Sequence, residues 1–174
     1  MAVNGTAAMF GETSVGDASV QCATFYVENL FFGIDVQHVQ EVLRAQETTR
    51  VPRAPAVVEG LINLRGQIVT AIDMRRRMSL PVRGADEVPM NIVIRTADGP
   101  LSLLVDEIGE VIELSSDQFE APPTNLGDAQ RETLRGVYKL DGQLLLLLEP
   151  ERLAAIQHGG LAARATESTM DHHN

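Results

Sequence analysis

The chain has 174 residues and a formal charge of −10, with 24 acidic against 14 basic side chains, a balance that opposes the counterion release behind DNA and RNA binding. Aromatic residues make up only 4%, too few for the stacking platforms of single-strand binders. Cys22 is the sole cysteine, so neither an intramolecular disulfide nor a cysteine-based metal cage can form.

Residues 1–19 are rich in Gly, Ala, Ser and Thr without a sustained period, and 158–174 read the same way; both are expected to be disordered tails. The start lacks the basic and apolar blocks of an export signal, and no stretch reaches the ~20 apolar residues of a membrane span. A cytoplasmic protein with no direct membrane insertion is therefore expected. From 20 to 157, short apolar runs bounded by Gly, Pro, Asn and Asp predict strands over 20–28, 31–35, 60–65, 67–73, 90–96, 101–106, 108–114, 136–140 and 143–149.

DVQHVQEVLR, residues 35–44, spaces Val36, Val39 and Val42 or Leu43 by three and four, with Asp35 placed to cap a first turn. This spacing predicts one amphipathic helix over 36–44 whose other face carries Gln37, Gln40, Glu41 and Arg44. Further along, NLRGQIV sets Arg65 and Gly66 between two apolar stretches. A positive φ at Gly66 lets the chain turn sharply and leaves Arg65 displayed at the turn. Short helices are expected over 74–79 and 150–157. The run Arg75-Arg76-Arg77 reads as a solvated helix face, and Asp106-Glu107 as solvated turn residues.

GLINLRGQIVTAID, residues 60–73, lies on GVYKLDGQLLLLLE, residues 136–149, without a gap. Gly60 meets Gly136, and the turn glycine Gly66 meets Gly142; Asp141 stands where the first copy has Arg65. Upstream, Ile34, Val36, Val39, Glu41 and Val42 fall on Leu103, Val105, Ile108, Glu110 and Val111. The offset grows by seven residues between the two alignments, which fits an insertion within DQFEAPPTNLGDAQRE. The chain thus reads as a diverged tandem pair of β-subdomains, about 20–80 and 88–157. Five strands each suggest small closed barrels, since closure removes exposed edges. Five consecutive leucines, 144–148, need cover on both faces, as a strand between two barrels would have.

Catalytic, metal and cofactor signatures are missing. His38 is the one histidine inside the expected fold, and neither a dinucleotide glycine motif, a P-loop, H-E-x-x-H nor G-x-S-x-G occurs. Cys22 sits in strand-like QCATFYV, where a small buried thiol is the common outcome. No catalytic, cofactor-binding or metal residue is assigned, and the reading is a binding module, not an enzyme.

FGIDVQHVQEV at 32–42, TRVPRAPAVVEGLINLRGQIVTAIDMR at 49–75 and LLVDEIGEVIEL at 103–114 together resemble the CheW chemotaxis coupling family, in its order and spacing. The resemblance implies a mainly β fold of two five-stranded, SH3-like barrels around a shared core. It also implies a non-enzymatic adaptor that bridges the cytoplasmic hairpin tip of a chemoreceptor (a methyl-accepting chemotaxis protein) to the regulatory domain of a histidine kinase, beside receptor arrays at the inner membrane. By the same resemblance Val36, Val39, Glu41, Val42 and Arg65 form the receptor-binding surface. Glu41 and Arg65 are expected to pair across the first subdomain, leaving apolar side chains such as Val39 open to a receptor helix. Thr70 occupies a position where the family often has proline, which restores a backbone donor at what is expected to be a strand edge. Two alternatives are an adaptor of a non-flagellar chemosensory pathway and, from a different class, a small-ligand-binding β-barrel.

Overall fold

The computed structural model describes residues 19–155. Apart from Ser19, which opens the first strand, both expected tails lie outside the described residues. The strands are β1 (Ser19–Val27), β2 (Leu30–Asp35), β3 (Val39–Leu43), β4 (Val58–Leu64), β5 (Gln67–Asp73), β6 (Met90–Thr96), β7 (Gly99–Val105), β8 (Glu107–Ser115), β9 (Phe119–Glu120), β10 (Leu134–Leu140) and β11 (Gln143–Leu148). Helical pieces are short: α1 (Met74–Arg77), α2 (Asp128–Arg131) and a turn over 150–155.

The strands form two sheets, one ordered β8-β1-β2-β11-β10-β9 and the other β3-β6-β7-β5-β4. Membership is interleaved along the chain. β1 pairs with β8 and β2 with β11, so the contiguous halves 20–80 and 88–157 are not the units of the sheets. The repeat itself maps onto the architecture once its boundary is moved. Edge strand β8 matches β3, hairpin β10–β11 matches β4–β5, and hairpin β1–β2 matches β6–β7. Parallel pairing occurs at the equivalent places, β11 with β2 and β5 with β7. The chain passes between sheets at residues 36–38 and again at Asp106.

Equivalent glycines explain part of the shared pattern. Each follows a register shift, between Val58 and Gly60 in one hairpin and between Leu134 and Gly136 in the other. A Cβ on Gly60 would lie 2.5 Å from the Thr49 carbonyl oxygen, and one on Gly136 would lie 2.1 Å from the Phe119 ring. A neighbouring segment therefore crosses each hairpin too closely for any side chain.

The leucine run has the two-sided cover its composition demands. Leu146 and Leu148 join Phe25, Phe32, Ile72 and Ile92 in a core that both sheets share, while Leu145 and Leu147 pack with Cys22, Phe31 and Leu114 on the opposite face. Burial of this kind stabilises by roughly 25 cal/mol per Å² of apolar surface. On β5, Thr70 pairs with both Leu61 and Leu101, so that position lies inside the sheet and not at an edge.

The helix expected over 36–44 is replaced by one 3₁₀ turn, Val36–His38, followed by strand β3. Asp35 caps it as expected, its Oδ1 accepting the Gln37 N–H at 2.9 Å. Beyond His38 burial follows a period of two, with Val39, Glu41 and Leu43 half-buried and Gln40 and Val42 exposed, and the β-branched valines suit a strand. Antiparallel pairing with β6 then decides between two readings that valine spacing alone leaves open.

Candidate functional site

Two polar constellations stand out from the scaffold. The first is built on the β4–β5 turn. Arg65 and Gly66 are its two central residues, with φ of 51° and 87°. Positive φ at both positions is the type I′ pattern, whose twist suits a two-residue hairpin. Asn63 Oδ1 accepts the Gly66 N–H at 2.9 Å and holds the turn from below. In the matching turn of the other sheet, Gly142 has φ 77° and Asp141 is not among the positive-φ residues.

Arg65 is 78% exposed, yet its Nη1 donates to Glu41 Oε2 at 2.8 Å. Glu41 is only 18% exposed, and its other carboxylate oxygen is buried without a hydrogen-bond partner. The pair thus ties a hairpin turn to edge strand β3, as expected, though Glu41 presents from a strand and not from a helix. Around it the valines divide. Val42 is 43% exposed, Val36 is half-buried, and Val39, expected to be open, packs partly buried against the shared core. Ile68, 60% exposed three residues after Arg65, adds an apolar side chain that sequence reading missed. Its signal was available: two residues past Gly66, it alternates on β5 with buried Val69.

The second constellation surrounds Asp106, in the connection between the sheets. Its carboxylate accepts from Arg75 Nε at 2.9 and 3.0 Å, from Arg83 Nη2 at 2.8 Å, and from the Glu28 backbone N–H at 2.6 Å. Arg83 also faces Asp73 at 3.6 Å, and Arg75 faces Glu87 at 3.2 Å. Burial by itself would raise the Asp106 carboxyl, but the Glu28 N–H and the two guanidinium groups outweigh it and hold it below the usual carboxylate value. Two of the three consecutive arginines are accordingly not a solvated face. Arg75 and Arg77 are buried, the latter donating to the Ala129 carbonyl at 3.3 Å. Asp106 is likewise no solvated turn residue, whereas Glu107 is exposed.

Elsewhere the chemistry is quiet. Cys22 is buried, and burial followed by the nearby Asp35 charge pushes its thiol up to about 12, far from nucleophilic use at neutral pH. Among the described residues no group of His, Cys, Asp and Glu is arranged to hold a metal ion. No described helix is long and apolar enough to cross a membrane. What the geometry offers is surface: an exposed cation fixed by a half-buried carboxylate, with exposed Val42 and Ile68 on the adjoining strands β3 and β5.

Comparison with known proteins agrees in extent and architecture. The family model described as "CheW-like domain" matches residues 21–157. The chemotaxis protein CheW of Treponema pallidum (strain Nichols) is 31% identical over 144 residues, covering 80% of this chain and 85% of that protein. The CheW of Thermotoga maritima is 29% identical over 132 residues, covering 75% of this chain and 84% of that protein. Among solved structures, the scaffolding protein TtCheW from Thermoanaerobacter tengcongensis superposes with a TM-score of 0.68 at 27% identity, covering 75% of this chain and 88% of that one. Family match, relatives and fold converge, and the chain belongs to the CheW family of non-enzymatic chemotaxis scaffold proteins.

Proposed function

We propose that this chain bridges a chemoreceptor's cytoplasmic hairpin tip to the regulatory domain of a chemotaxis histidine kinase, in the cytoplasm beside receptor arrays at the inner membrane. The observation that carries the receptor side is the 2.8 Å pair between Arg65 and Glu41. It fixes an exposed guanidinium over edge strand β3, where Val42 and, more deeply, Val36 and Val39 supply apolar surface. A helix of a receptor hairpin would set apolar side chains against these valines and polar ones on the charged rim. Asp141 at the equivalent turn of the other sheet reverses the charge, which supports a different partner there. Gly66 and Gly142 serve the turns and not the contacts.

Co-retention of the two partners tests this reading. Immobilised receptor hairpin should retain the kinase regulatory domain only when this chain is present, and Arg65→Glu should abolish that retention while leaving the binary complex with the kinase domain. Retention that survives Arg65→Glu undiminished would remove Arg65 from the receptor surface.

A further inference from the structure

The two faces of the five-stranded sheet differ. Ile72, Ile92 and Ile94 turn to the core that both sheets share, while Ile62, Val69, Ala71 and Leu104 form a separate apolar cluster. Side chains alternate along β6, so Asn91 and Val93 lie on the second face. Register sets Glu41 of β3 opposite Val93 on one side and Ser102 of β7 opposite it on the other. This face is closed off where the ends of the sheet meet: β3 and β4 are the outermost strands, yet Glu41 reaches Arg65 in the β4–β5 turn.

The polar groups buried on this face are only partly satisfied. Asn91 and Ser102 are 1% and 0% exposed, and Asn91 Nδ2 donates to Ser102 Oγ at 3.0 Å. Asn91 Oδ1 is left buried without a donor from the protein, and so is Glu41 Oε1, whose companion oxygen accepts from Arg65. Unpaired buried acceptors are costly and uncommon. Here two of them belong to a diagonal pair on neighbouring strands, with Cα atoms ~7–8 Å apart, and both lack a hydrogen.

We propose that one water molecule is bound between Glu41 and Asn91, donating one hydrogen to Glu41 Oε1 and the other to Asn91 Oδ1. The Ser102 hydroxyl hydrogen rotates freely and can turn to the water oxygen, completing the about three bonds that a buried water makes. Asn91 is then a positioning residue. Through the water it fixes the Glu41 carboxylate from inside, and the carboxylate fixes Arg65 outside. Holding two long side chains in one geometry costs rotamer entropy, and a carboxylate already anchored has less to lose. What that aim is worth to a receptor rests on the function proposed above; the water and the anchored arginine belong to the free chain and are tested without a partner.

A crystal structure of the full chain at a resolution that shows ordered water tests the first half. One oxygen should lie about 2.7–3.2 Å from both Glu41 Oε1 and Asn91 Oδ1. An Asn91 amide turned to donate directly to Glu41, a cation with about six oxygen neighbours, or two oxygens with nothing between them would each overturn it. Nitrogen-15 relaxation of the Arg65 Nε–H group tests the second half. Asn91→Leu should lower its order parameter, and Ser102→Ala, a milder change that releases the Asn91 amide, should act in the same direction. Val69→Ala, which empties a site on the same face, should destabilise the chain and leave that order parameter unchanged. An Arg65 group equally ordered with and without Asn91, or loosened as much by Val69→Ala, would show that Asn91 only fills the interior and contradict its positioning role.

Discussion

The guanidinium of Arg65 meets the carboxylate of Glu41 at 2.8 Å, joining a hairpin turn to an edge strand 24 residues away in sequence. Exposed pairs of this kind contribute only ~0–1 kcal/mol to folding, so the pair's value lies in aiming an arginine and not in holding the sheet. Arg65→Glu should accordingly fold normally, by circular dichroism and thermal melting, and bind a receptor hairpin ~10-fold or more weakly, a loss of about 1.4 kcal/mol or more. Combining it with Glu41→Arg should recover part of the affinity. An unfolded single variant would make the turn structural and end this account of Arg65.

Asp106 gives the fold a specific response to acid. Its folded-state value lies below the unfolded one of 3.8, so its contribution is complete above that value and is lost as pH falls through the lower, folded value. Asp106→Asn should cost about 3 kcal/mol at neutral pH, because it strips a largely buried pair of guanidinium groups of their shared partner. The stability gap between the two proteins should narrow below about pH 4, in urea titrations at stepped pH. A gap independent of pH across that range would mean that the carboxylate is not held ionised by its neighbours.

The close approach at the bulge glycines predicts a contrast within one hairpin. Gly60→Ala forces a Cβ to 2.5 Å from a backbone oxygen and should cost about 1–3 kcal/mol. Gly66→Ala meets no neighbour within 4 Å but must accept φ 87°, for which about 1–2 kcal/mol is expected. Urea unfolding should find both destabilising, with chain-to-chain crowding the cause only at Gly60.

Two-sided cover of β11 can be tested leucine by leucine. Leu145→Ala and Leu146→Ala empty opposite faces of the strand, and each should cost about 2–5 kcal/mol. Ile68→Ala, at an exposed position, should change stability by no more than about 0.5 kcal/mol. A cheap Leu145 or Leu146 substitution would mean that one face of the strand is poorly covered.

Much of this was legible because it is local. Turn glycines, the leucine run and the paired hairpins announce themselves within a dozen residues, whereas the Glu41–Arg65 pair, 24 residues apart, follows only from the family resemblance. The interleaving of the sheets was not legible, since nothing in β1 states that it pairs with β8 in preference to β6. Valines at 36, 39 and 42 fit a helix and a strand alike, and only the partner strand β6 selects the latter. The same change of period turned Val39 toward the core. The role of Asp106 is not legible locally because its partner Arg75 lies 31 residues away, although an acid directly after β7 and an arginine two residues after β5 hint at a shared crossover.

The measurement that bears most directly on the adaptor role is calorimetric titration of the full chain, separately, with a chemoreceptor's cytoplasmic hairpin and with a chemotaxis kinase's regulatory domain at moderate salt. Saturable binding to both, with only the receptor isotherm weakened by Arg65→Glu, is the predicted result. Binding of well-folded protein to neither cognate partner would contradict the bridging function.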